Sequence, residues 1–138
     1  MIVLTTSDSV VAKLSNPVNE NNPTFYCSWV GTDNVPGNSQ GEFDNENEVT
    51  LISAPTLDQK LVDLGIIYNN DTDDIEVTLQ IAEGTDRITI AVETISAGGT
   101  FTFGKEDAIL EVVEPASDSV STEELAGTRI FSYFMGSI

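Results

Sequence analysis

Histidine is absent from the 138 residues, and Cys27 is the single cysteine. Without imidazole, neither a Ser-His-Asp nor a Cys-His nucleophilic site can be assembled, and a zinc site would need carboxylates almost alone. A lone thiol cannot close an intrachain disulfide, so no cystine framework is expected to hold the fold. Positive charge is nearly as scarce. Five Lys and Arg stand against 23 Asp and Glu, a formal net charge of −18 and a pI near 4.1. So few cations cannot neutralise a run of phosphates, and no nucleic-acid partner is expected. The same repulsion argues against an anionic membrane surface. No apolar run approaches the roughly 18 residues that a spanning helix needs. Residues 1–6 carry no basic leader, so the expectation is no secretory signal and synthesis in the cytoplasm.

What is present suits one domain. At 14.8 kDa, a chain buries roughly two-thirds of its unfolded surface and needs neither staples nor metal. The hydrophobic pattern has period two almost throughout. Ile75, Val77, Leu79 and Ile81 alternate with Glu76, Thr78 and Gln80, as in a strand buried on one face. Ile88, Ile90 and Val92 nearly repeat this, and Phe101 and Phe103 echo it. Residues 82–86 include Gly84, so the two longer strands are expected to form a hairpin. Residues 60–68 read as a strand with Val62, Leu64, Ile66 and Tyr68 on one face. The Asn/Asp-rich turn 69–74 leads from it straight into Ile75, which predicts an antiparallel meander of three strands. Residues 97–99, Ala-Gly-Gly, supply a further tight connection.

Further strands are expected at 10–14, 24–30, 49–53 and 108–113. The second holds Phe25, Tyr26, Cys27, Trp29 and Val30, apolar on both sides, and reads as a central strand covered on both faces. Residues 31–47 read as a long polar loop without periodicity. Helix signals are thin: one turn at 53–61, and one at 121–127 with Ser121 as cap, Glu124 three residues on and Gly127 as stop. The expected fold is all-β, a single antiparallel β-sandwich (jelly-roll or Ig-like) of about eight short strands over residues 1–114. Residues 115–138 read as a linker and an apolar C-terminal arm. In that arm Ile130, Phe131, Tyr133, Phe134 and Met135 lie on both faces. Each such side chain gains roughly 1.5–3 kcal/mol on burial, so they are the candidate assembly contacts. A final strand in the chain's own domain and an arm docked on a neighbour both satisfy them.

Carboxylates are the only abundant reactive groups. They concentrate in turns (Asp71, Asp73, Asp74; Asp44, Glu46, Glu48), where water keeps them ionised, so solvated turns are favoured over paired-acid catalysis. Glu76 and Glu93 fall on the polar faces of their strands. Residues 69–74 and 43–48 space oxygen donors as hard-cation loops do, yet lack the central glycine and distal glutamate of an EF-hand. No metal, cofactor or catalytic residue is assigned. Trp29 and Tyr26 are candidates to stack on a sugar, with a core role favoured, and Cys27 reads as an inert buried thiol.

The early strand, residues 4–14, resembles the start of small accessory virion proteins of tailed bacteriophages. So do the block 61–72 with the alternating run 75–81, and the order of aromatic strand, Asn/Asp turn and Gly-Gly turn. The resemblance spans about residues 3–105 and stops before residues 106–138. It implies a structural protein of the virion, made in the host cytoplasm, of the head-fibre, capsid-decoration or tail-region type. It further implies a homo-oligomer, with a trimer expected, and contacts with other virion proteins such as capsid or portal-region components. It transfers no active-site residue. Two rival readings are a glycan- or receptor-binding module, calcium-dependent or not, using residues 31–47 with Trp29 or Phe43, and an acidic mimic of DNA.

Overall fold

The computed structural model describes residues 2–32 and 34–104, together with the backbone of 110–113. Ten strands form: β1 (Val3–Leu4), β2 (Asp8–Leu14), β3 (Thr24–Gly31), β4 (Pro36–Glu42), β5 (Val49–Ile52), β6 (Lys60–Tyr68), β7 (Ile75–Glu83), β8 (Asp86–Ile95), β9 (Thr100–Gly104) and β10 (Leu110–Val113). Every pairing is antiparallel. One sheet runs β10-β9-β6-β3-β4, with β1 on the edge of β6, and the other runs β5-β2-β7-β8. The two stack as a β-sandwich. All eight expected strands are there; β1 and β4 are additional. The described residues contain no helix, so the turn expected at 53–61 is a loop leading into β6. The one expected at 121–127 lies outside the described residues, as do Ile130, Phe131, Tyr133, Phe134 and Met135.

The inner faces supply the core. Phe25, Cys27, Val62, Ile67, Phe101 and Phe103 from the first sheet meet Val10, Ala12, Leu14, Leu51, Val77, Leu79 and Ile95 from the second. Phe43, just past β4, closes one end and meets the Phe25 ring edge-on at 6.1 Å. The Ser39 hydroxyl on β4 donates to the Leu51 carbonyl on β5, linking the sheets at one margin.

Four sequence expectations are corrected. The meander fails at its first turn: β7 and β8 form the hairpin, with Gly84 at φ 62, but β6 belongs to the opposite sheet. Residues 69–74 therefore cross the sandwich, because β6 is apolar enough to pair with β3 and β9 on either side. Residues 31–47 are not a structureless loop. Pro36–Glu42 pairs along the whole of β3, and its periodicity is hidden because its inward positions are Gly37, Ser39 and Gly41. The face assigned to β6 is broken by a bulge: Ser28 faces Leu64 while Trp29 faces Val62, leaving Asp63 as the extra residue. Val62, Gly65 and Ile67 point inward, whereas Leu64, Ile66 and Tyr68 point out, since one inserted residue inverts the alternation. A second bulge, at Ile90 in β8, places Glu93 opposite the buried Val77 and turns Val92 outward. Glu93 thus lies on the inner side of its sheet, contrary to expectation.

Candidate interaction surface

The cation-loop residues have structural employment. Asn69 is fully buried, and its Nδ2 donates to the carbonyls of Asp73 and Ile95, each at 2.9 Å. Its Oδ1 accepts from the Asp71 amide at 2.9 Å. Its own N–H donates to Gly99 O and its carbonyl accepts from Gly98 N–H. One side chain thus ties the β6–β7 crossing to the β8–β9 crossing. Asp71 ties in a third: its carboxylate accepts the amides of Asn19, Glu20 and Asn21 at 2.9, 2.8 and 3.1 Å. Burial by itself would raise the Asp71 carboxyl, but these amides with that of Thr72 outweigh it and hold the group at about 2. Its lone pairs are turned to N–H groups rather than to an open cation position. Among the described residues no cluster of acids or cysteine has the grouping of a metal site.

The low Asp71 value has a pH signature. A carboxyl whose folded value lies below its ordinary 3.8 contributes stability at neutral pH and loses it as pH falls through about 4 towards about 2. Denaturant unfolding of the protein and of Asp71→Asn should therefore diverge at neutral pH and converge between pH 4 and 2. Parallel curves across that window would show that Asp71 does not hold this loop.

The other candidates are also absorbed. Cys27 is buried, as expected, and burial pushes its thiol up to about 12 despite a backbone hydrogen bond with Ile66, which makes it a poor nucleophile. Phe43 is core, 1% exposed, and so is unable to meet a sugar. Trp29 is half-buried; its ring lies against Gly37 and holds Lys60 Nζ 4.2 Å from its centroid. Lys60 also donates to the Ser53 carbonyl at 2.8 Å, and burial lowers its ammonium. Arg87 makes a two-pronged pair with Glu48, 2.6 and 2.9 Å. That pair lies at the surface, where water and salt screen it.

The outer face of the β4-β3-β6-β9 sheet remains. Paired residues share a face, so the register arranges it in rows across the strands: Glu42, Thr24, Tyr68 and Thr100; then Gln40, Tyr26, Ile66 and Thr102; then Asn38, Ser28 and Leu64. A last row holds Pro36, Val30 and Leu61, with Val3 of β1 beyond. Tyr26 is 40% and Tyr68 42% exposed. The expectation that β3 is covered on both sides is thus corrected: it is central in its sheet, with one face open. Thr24, Tyr26, Gln40, Glu42, Ile66 and Tyr68 line an open depression of about 500 Å³. Over β4, β3, β6 and β9 the charged side chains of this face are Glu42 at a corner and Asp63 at the bulge. The outer face of the other sheet, by contrast, carries Lys13, Glu76 and Arg87. The sequence points to Tyr26 alone of the aromatic pair; Tyr68 escapes because only the bulge turns it outward, and an acid inside the apolar run 61–67 is the signal that marks the bulge.

Comparison with protein-family models, curated proteins and solved structures finds no match. Among the described residues no helix is long and apolar enough to cross a membrane.

Proposed function

We propose that this chain is a structural protein of a bacteriophage particle, a head fibre or capsid decoration, that associates with copies of itself and docks on the larger shell without catalysing a reaction. The observation that carries the reading is the disposition of its side chains. The groups best suited to chemistry, Cys27, Asn69 and Asp71, are committed to the core or to backbone amides. Of the large apolar groups left at the surface, Tyr26, Tyr68 and Val3 share one sheet face, while Val35, Leu57, Ile88 and Val92 lie elsewhere. The sequence adds a ten-residue stretch, 129–138, that is rich in large apolar side chains and free of acids; Ile130, Phe131, Tyr133, Phe134 and Met135 are the proposed docking contacts. A chain of net charge −18 stays apart from packaged DNA and resists premature aggregation. The likeness to phage accessory proteins supplies the particle and the expectation of a trimer.

Light scattering of the full chain and of a form ending at Glu114 tests the reading. The full chain is expected to be oligomeric, and deletion of 129–138 to leave a folded monomer poorly incorporated into particles. Mass spectrometry of purified particles checks membership and copy number. A full chain that is monomeric, with a truncated form that fails to fold, would place the segment in its own core and defeat the proposal.

A further inference from the structure

We draw no further inference here: the strongest candidate, the open depression beside Tyr26 and Tyr68 on the outer face of the β4-β3-β6-β9 sheet, carries none, because nothing in the structure shows what covers it.

Discussion

Gly65→Ala is expected to destabilise the protein by about 3 kcal/mol, lowering its melting midpoint by roughly 10 °C. A Cβ on Gly65 would stand 2.1 Å from Cζ of Phe103, the residue directly across the β6–β9 pairing. The ring is 1% exposed and packs against Phe101 at 5.9 Å, so it has no free space into which to withdraw. The strand must move instead, and β6 is held by β3 on its other side. A double-mutant cycle isolates the cause: in a Phe103→Leu background the added methyl should cost less than half as much. Equal costs in both backgrounds would mean that the ring is not what the methyl meets.

Asn69→Ala should be of similar size, on the order of 4 kcal/mol, because it strands three polar groups away from water: two carbonyls and one amide. The carbonyls belong to Asp73 and Ile95 and the amide to Asp71, so the loss reaches both the β6–β7 crossing and the end of β8. Asn69→Asp is expected to be no better. It keeps an acceptor for the Asp71 amide but faces two carbonyls with no proton to donate. The melting shift should be the same in calcium and in chelator. A shift that vanishes in chelator would return residues 69–74 to the role of a cation loop and displace Asn69 as the tie between the crossings.

Much of the molecule is legible from residue order. The alternation in 75–81 specifies a strand with one buried face, and Gly84 between two such runs specifies the hairpin, because both are contacts between neighbours in sequence. The paucity of cations, histidine and cysteine bounds the chemistry in the same direct way. Where the pattern misleads, a single residue is responsible. Asp63 in β6 and Ile90 in β8 each insert one position and exchange inside for outside, and no count of apolar residues reveals which strand partner forces the insertion. β4 is illegible for a related reason: a strand that presents Gly37 and Gly41 to the core is filled by the rings of Trp29 and Phe25 from its neighbour, so its own side chains show no hydrophobic period.

Composition and local pattern thus determined an all-β chain, strongly acidic, without histidine and with a single cysteine, since these properties sum over residues and need no partner. Only the tertiary structure decided that β6 and β7 part into different sheets, and that Asn69 and Asp71 serve backbone amides and carbonyls. It also decided that Tyr26 and Tyr68 share one nearly uncharged face. Each of these depends on which distant strand lies alongside, and strand pairing is governed by the burial of whole faces against each other rather than by any local preference.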